Sequence, residues 1–144
     1  MKFHLLGEEN ERVEIDVLTR NHPNSTDYWD VNWIVSTIKI ELPGYLVQFN
    51  ADLRTDELKD FLDELNMISS NLRGKAILKN LDNYVQVECE INHKGQLLWS
   101  VRTCYPAGYG AVLTFEFKSD QSYLQSLVKE LDAILALFPV IGKP

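Results

Sequence analysis

Short segments in which apolar and polar residues alternate strictly constrain the fold of this chain more than any other feature. Val13, Ile15 and Val17 alternate with carboxylates, and the same period of two recurs over residues 34–41 and 85–91. This period places every second side chain on the same face, which is typical of a strand with one buried face. Further strands are predicted on the same grounds at about residues 47–53, 96–105 and 113–118.

Two longer segments have the periodicity of helices instead. In the first, apolar residues recur at spacings of three and four from Leu58 to Ile68. Thr55 is expected to cap its first turn, and Gly74 to lie just past its end. The second helix is predicted from about Asp120 to Leu137. Its apolar stripe consists of Leu124, Leu127, Val128, Leu131, Ile134, Leu135 and Phe138.

The order of these segments indicates the fold class. Strands, one helix, strands and one helix follow each other, with no linker or internal repeat visible in the sequence. Tight turns such as Pro43-Gly44 join only antiparallel neighbours. The predicted fold is therefore α+β: an antiparallel, curved sheet of about seven or eight strands with two amphipathic helices packed on it. Residues 1–144 are expected to form one domain, since this length suits a single core.

The acidic charge of the chain limits the classes of partner. Its formal net charge is −7. A negative field repels phosphate backbones and anionic lipids, so we expect neither nucleic acid nor a membrane as a direct partner. A basic protein is the better electrostatic match, although acidity also serves solubility. The sequence has no export signal and no apolar run of membrane-spanning length, which favours a cytoplasmic location.

Residues that commonly carry catalysis or bind metals form no recognisable set. Cys89 and His93 lie four residues apart, but the second ligand pair of a zinc site is missing. Glu88 and Glu90 have a spacing that acid–base chemistry can use, yet such a pair more often marks the solvated face of a strand. We therefore expect no enzymatic activity, no cofactor and no metal.

The two cysteines are expected to be free thiols. If the strands around them form a hairpin, Cys89 lies opposite Trp99 or Ser100 and not opposite Cys104. A disulfide between the two cysteines is then geometrically unfavourable. Free thiols suit a reducing compartment.

Two surfaces are candidates for binding a protein. The first is Asp27-Tyr28-Trp29-Asp30, a predicted loop that combines aromatic anchors with carboxylates. The alternative for this segment is that Trp29 and Trp33 are core residues that hold the loop on the sheet. The second is the polar side of the first helix, which is an ordinary solvated helix face in the alternative interpretation. Its candidate residues are Asp56, Glu57, Asp60, Asp63 and Glu64.

The chain also resembles a known family over nearly its whole length. The run from Asn21 to Trp33 is similar to the "NPNSTDYWDANW" segment of the WapI family of bacterial immunity proteins. Each similar piece is unspecific alone, but their order along the chain supports the resemblance. The other pieces are Ile38-Lys39-Ile40-Glu41, Leu53-Arg54-Thr55-Asp56, Cys89-Glu90-Ile91, Leu113-Thr114-Phe115-Glu116-Phe117 and Phe138-Pro139-Val140-Ile141-Gly142.

The resemblance implies a role that composition does not reveal. Proteins of this family are cytosolic and protect a bacterium from a wall-associated, contact-dependent toxin. The implied partner is the toxin's basic C-terminal domain, a tRNA-cleaving nuclease, which the immunity protein binds and occludes without catalysis. The resemblance does not locate the contact residues. The rival interpretation is a small-ligand-binding or regulatory α+β domain, in which Trp99 or Tyr105 lines the ligand site.

Overall fold

The computed structural model describes residues 1–144 and contains eight strands and three helices. The strands are β1 (Lys2–Leu6), β2 (Arg12–Arg20), β3 (Trp33–Leu42), β4 (Tyr45–Arg54), β5 (Lys75–Lys79), β6 (Val85–Ile91), β7 (Gln96–Tyr105) and β8 (Ala111–Asp120). The helices are α1 (Tyr28–Val31), α2 (Thr55–Asn71) and α3 (Ser122–Leu137). The predicted α+β class is confirmed, and α1 is a short additional helix inside the segment that was expected to be a loop.

The strands form two antiparallel sheets of four strands each, where the sequence pattern suggested one curved sheet. Their orders are β1-β2-β3-β4 and β5-β6-β7-β8, so consecutive strands are neighbours within each sheet. The predicted turn at Pro43-Gly44 joins β3 to β4, with Leu42 opposite Tyr45. Gly44 has a φ of +83°, which a residue with a Cβ adopts only under strain. Alternation identifies strands, but it does not reveal where one sheet ends.

The chain passes through the same order of elements twice. Four strands and a long helix, β1 to α2, are followed by four strands and a long helix, β5 to α3. The long helices are exchanged between the two halves, because α2 packs on β5 and α3 packs on β1. The helices also pack against each other. The two halves share a pattern of burial but not of residues. The repeated order of elements is therefore not visible as a repeat in the sequence.

Two glutamates strengthen this exchange at equivalent positions. The backbone N–H of His4 in β1 donates to Glu130 Oε1 of α3 at 3.1 Å. The backbone N–H of Ile77 in β5 donates to Glu64 Oε1 of α2, also at 3.1 Å. Each carboxylate thus accepts a hydrogen bond from a backbone N–H on the outer edge of a sheet. Without it, that N–H would be free to pair with another strand.

A single cluster of 30 buried residues forms the hydrophobic core and draws on both sheets and both long helices. The predicted stripe of α2 is confirmed, since Leu58, Phe61, Leu62, Leu65 and Ile68 are all at most 4% exposed. The predicted stripe of α3 also packs on the core, with Val128, Leu135 and Phe138 partly buried. None of the helices combines the length and the apolar character needed to cross a bilayer.

The start of α2 lies at Thr55 as predicted, but Thr55 does not cap it. Thr55 is fully buried, and its hydroxyl donates to Asn32 Oδ1 at 3.0 Å. The carboxylate of Glu57 instead accepts the N–H of Arg54 at 3.0 Å. At the other end Leu72 adopts a left-handed conformation, and Gly74 follows it as predicted.

The predicted start of the last helix at Asp120 is two residues early. Asp120 still belongs to β8, where it lies opposite Gln96 of β7, and its Oδ1 accepts the N–H of Ser122 at 2.8 Å. The carboxylate therefore closes the first turn of α3 from outside the helix.

Candidate functional site

The segment that was expected to be a loop is ordered by its own carboxylate. Asp27 is the N-cap of α1, and its Oδ1 accepts the N–H of Trp29 at 2.9 Å. Asp27, a candidate contact residue, therefore also has a structural task. Asp30 lies in the first turn of α1 and is exposed. The short helix thus presents both carboxylates to solvent around a central aromatic pair.

Arg54 is the residue around which this segment is built, although nothing in its sequence context predicted burial. Its side chain is only 2% exposed. Nη1 donates to the carbonyl of Trp29 at 2.6 Å, and Nη2 donates to that of Tyr28 at 3.3 Å. Nε donates to Asp56 Oδ1 at 2.9 Å. A buried guanidinium needs such partners, since its charge would otherwise be strongly destabilising.

Three aromatic rings surround the same guanidinium. Its carbon lies 5.4 Å from the ring centroid of Tyr28, 5.2 Å from that of Trp29 and 4.9 Å from that of Trp33. These distances allow cation–π attraction. Trp33 is half-buried, as expected for a residue that holds the segment on the sheet. Trp29 is 54% exposed, so it is held from below while much of its indole remains open to a partner.

The polar side of α2 carries a dense negative charge next to this arrangement. Asp60 and Asp63 are exposed, and Asp56 is partly exposed beside Arg54. Loss of solvent raises the pKa of Asp60, and the negative charges of Asp56, Asp63 and Glu64 raise it further. Lys59 pairs with Asp63 on the same face, so one local cation offsets part of this charge.

Two of the predicted acidic residues have structural partners instead. Glu57 is 9% exposed, so the expectation that it shares the open face is wrong. Besides the N–H of Arg54, its carboxylate accepts the Asn80 Nδ2 donor at 3.1 Å and the Leu81 N–H at 2.6 Å. Burial raises the pKa of Glu57 despite these donors. Glu64 is half-buried, and its carboxylate accepts the N–H of Ile77 at the edge of β5.

The two candidate surfaces are contiguous. Arg54 contacts Tyr28 and Trp29 on one side and Asp56 on the other. Burial raises the pKa of the Tyr28 phenol, and the neighbouring Asp56 carboxylate adds to the rise. We refer to the combined set as the acidic–aromatic surface. It consists of Asp27, Tyr28, Trp29, Asp30, Asp56, Asp60 and Asp63.

The C-terminal tail holds this surface from behind. The buried Asn32 side chain accepts the N–H of Ile141 at 2.9 Å and donates to the carbonyl of Ile141 at 3.0 Å. Arg20 donates to the carbonyls of Val31 and Pro139. The tail is thereby fixed to α1 through two side chains that the sequence did not single out. Because Asn32 also accepts the Thr55 hydroxyl, it links the tail to both α1 and α2.

The remaining chemically notable residues have local partners. Glu88 and Glu90 lie 3.0 and 3.8 Å from the ammonium of Lys75. Cys89 is opposite Trp99 as predicted, and both cysteines are free. Burial raises the pKa of the Cys89 thiol to about 12, which keeps it protonated and unreactive at neutral pH.

The two residues considered for a small-ligand site have different environments. Trp99 is buried, and its indole N–H donates to Ser119 Oγ at 2.7 Å. Tyr105 lines an open recess of about 230 Å³ together with Val47, Phe49 and Leu113. This volume is below the roughly 300–1,000 Å³ of typical ligand pockets, so the recess suits a single side chain better than a cofactor.

Comparisons with known proteins place the chain in a family. One solved structure with the same fold, titled "Crystal structures of trypanosoma bruciei MRP1/MRP2", superposes with a TM-score of 0.53 over 94% of this chain and 84% of that one. The sequence identity is 12%, so this likeness concerns the fold alone. No curated protein matches the chain. The model of the WapI-like immunity protein family matches residues 4–139, and the chain therefore belongs to the WapI-like family of immunity proteins.

Proposed function

We propose that this protein is a cytoplasmic immunity protein that binds the basic C-terminal nuclease domain of a cognate secreted toxin. The acidic side chains would take the place of RNA phosphates on the nuclease, so that inhibition is stoichiometric and needs no catalysis. Membership of an immunity protein family supports the general role. The acidic–aromatic surface is the observation that supports the mode of binding.

The charge of the surface suits a partner that grips RNA. A nuclease presents lysine and arginine to the phosphate backbone, and a protein with net charge −7 is attracted to it over a long range. Such steering raises association rates towards about 10⁸ M⁻¹s⁻¹ at low salt. Speed matters because a free nuclease destroys its substrate until it is bound.

The aromatic side chains of the surface supply binding energy at close contact, which long-range attraction between charges does not. Binding energy in protein interfaces concentrates in a few anchors, and Trp and Tyr are prominent among them. Trp29 has an exposed indole on a rigid support, because Arg54 binds both its carbonyl and its ring. A side chain that is already held in place loses little entropy on binding.

Co-expression with the C-terminal domain of the cognate toxin tests the proposal. We expect the wild type to restore growth. We expect Asp60→Lys with Asp63→Lys to abolish protection, because like charges facing each other in an interface cost several kcal/mol. Glu8→Lys with Glu9→Lys is the matched control, since it changes the net charge equally at the exposed β1–β2 turn.

Stopped-flow association provides a second measurement. Between about 50 and 500 mM salt, the rate should fall by an order of magnitude or more, because screening shortens the range of the field. Equal loss of protection in the test and control pairs would mean that only the net charge of the protein matters and not the position of the carboxylates. Full protection by the test pair would refute the proposed acidic contact.

A further inference from the structure

The four outer edges of the two sheets are treated differently. Glu130 and Glu64 close β1 and β5, as described above. On β4 and β8, outer contacts occur only near the C-terminal ends. The carbonyl of Asp52 accepts the Asn80 Nδ2 donor at 3.0 Å, and that of Lys118 accepts the N–H of Glu8 at 2.9 Å. Residues 45–50 and 111–115 have no backbone partner on their outer side.

These two open stretches also lack charge. They read Tyr-Leu-Val-Gln-Phe-Asn and Ala-Val-Leu-Thr-Phe. Proteins usually protect an open edge with lysine, proline, a bulge or a covering element, because an unprotected edge pairs with other chains. The chain protects two of its edges with partly buried carboxylate contacts and leaves these two free. Such a difference is expected where an edge is reserved for a partner.

The open stretches converge on the recess that Tyr105 lines. Val47 and Phe49 of β4 and Val112 and Leu113 of β8 line its volume of about 230 Å³. The ring of Phe49 stacks on Tyr105 with centroids 5.1 Å apart. In the two open stretches, Tyr45 is 61% exposed, Leu46 70% and Val112 51%. We call this region, residues 45–50 and 111–115 with Tyr105, the uncharged mouth.

We propose that the uncharged mouth receives an extended, apolar segment of the toxin domain, which pairs with β4 and places one apolar side chain in the recess. This inference rests on the proposed function. β4 runs from the mouth to Arg54, which lies beneath the acidic–aromatic surface, and Phe49 and Arg54 are about 17 Å apart along a strand. One interface of standard size covers both.

Charge selects the toxin domain over a second copy of this chain. Another copy also carries −7 and is repelled at long range, whereas a basic domain is drawn to the adjoining carboxylates. Charge thus brings the partner to the acidic–aromatic surface. The neutral mouth then accepts a segment that needs no counter-charge, and the backbone pairing adds directional hydrogen bonds.

Titration calorimetry with a catalytically inactive form of the cognate toxin domain tests this inference. Leu46→Lys with Val112→Lys should weaken binding about 100-fold, tenfold for each charge placed in the mouth. Leu18→Lys with Leu72→Lys introduces the same charge at leucines of similar exposure outside both surfaces and should leave affinity unchanged. In the wild-type complex, hydrogen exchange should slow at the amides of residues 45–50.

The outcomes separate the two proposals. A wild type that does not bind the toxin domain overturns the proposed function and this inference with it. A wild type that binds, together with a mouth variant of equal affinity, overturns the inference alone. Protection of β8 amides without those of β4 also overturns it. Sedimentation of the free wild type as a dimer that the mouth variant dissociates would assign the mouth to a second copy.

Discussion

Replacing Arg54 by methionine should destabilise the protein strongly, although both side chains are long and unbranched. The substitution removes the donor to the Trp29 carbonyl, the ion pair with Asp56 and the cation between three rings. An unsatisfied buried acceptor costs about 1–3 kcal/mol, and each cation–π contact contributes about 0.5–1 kcal/mol. We therefore expect a loss of about 4 kcal/mol in the free energy of unfolding.

Urea denaturation followed by tryptophan fluorescence and by far-ultraviolet circular dichroism measures this loss. For a chain of this size, the change corresponds to a fall in Tm of roughly 8–16 °C. Arg54→Lys is the informative comparison, because lysine keeps the charge but cannot donate in the three fixed directions of a guanidinium. It should lose roughly half as much stability as Arg54→Met.

The same experiment is able to refute the assignment of Arg54 as the central residue. A loss below about 1 kcal/mol for Arg54→Met is the usual outcome of an ordinary surface substitution. Such a result would mean that α1 is held by its other contacts. Equal losses for methionine and lysine would indicate that packing and not the directed hydrogen bonds matters.

Three further outcomes follow from the described contacts. Glu57→Gln should lower the free energy of unfolding by about 2 kcal/mol in urea denaturation. Both carboxylate oxygens accept N–H donors, whereas the amide of glutamine keeps only one acceptor oxygen. An unchanged midpoint would contradict this. Deletion of residues 140–144 should accelerate hydrogen exchange in α1 at least tenfold while the amides of α3 are unaffected, since Asn32 loses its contact with Ile141. Burial raises the pKa of Cys89 to about 12, so between about pH 8.5 and 12 only the unfolded state gains a thiolate. Stability should therefore fall by roughly 2–3 kcal/mol from pH 8 to pH 10.5, and Cys89→Ala should remove that part of the slope.

Local patterns predicted the parts of the fold that local physics determines. The alternation in β2, β3 and β6 and the stripe of α2 depend only on which side chains share a face. Those predictions are confirmed by the burial of Val13, Ile15, Leu58 and Phe61. The short strands β1 and β5 were not delimited, because each contains only five residues between polar turns.

The parts that sequence reasoning missed depend on contacts between distant residues. Nothing near Arg54 shows that the rings of Tyr28, Trp29 and Trp33 surround it, and nothing near Asn32 shows that the tail returns to it. A signal was nevertheless available. Three of the pieces that carry the family resemblance meet here, namely residues 21–33, 53–56 and 138–142.

The role of the candidate residues is separate from their position. The structure places Asp27, Trp29, Asp60 and Asp63 at the surface and Glu57 inside. Contact residues in a toxin complex depend on the partner, which one chain does not specify. The substitutions at Asp60 and Asp63 are the direct measurement of that role.

The exchange of helices between the two halves determines when the newly made chain becomes protective. β1 is synthesised well before α3, the helix that covers it, because His4 is 126 residues from its partner Glu130. A nascent chain that ends before α3 has a core that lacks one wall. Cooperative folding therefore waits for α3, which is synthesised about 6–25 s after β1 at rates of about 5–20 residues per second. Breaking the backbone near Gly74 should similarly yield two fragments that fold only on each other, which makes the chain suited to split-protein complementation.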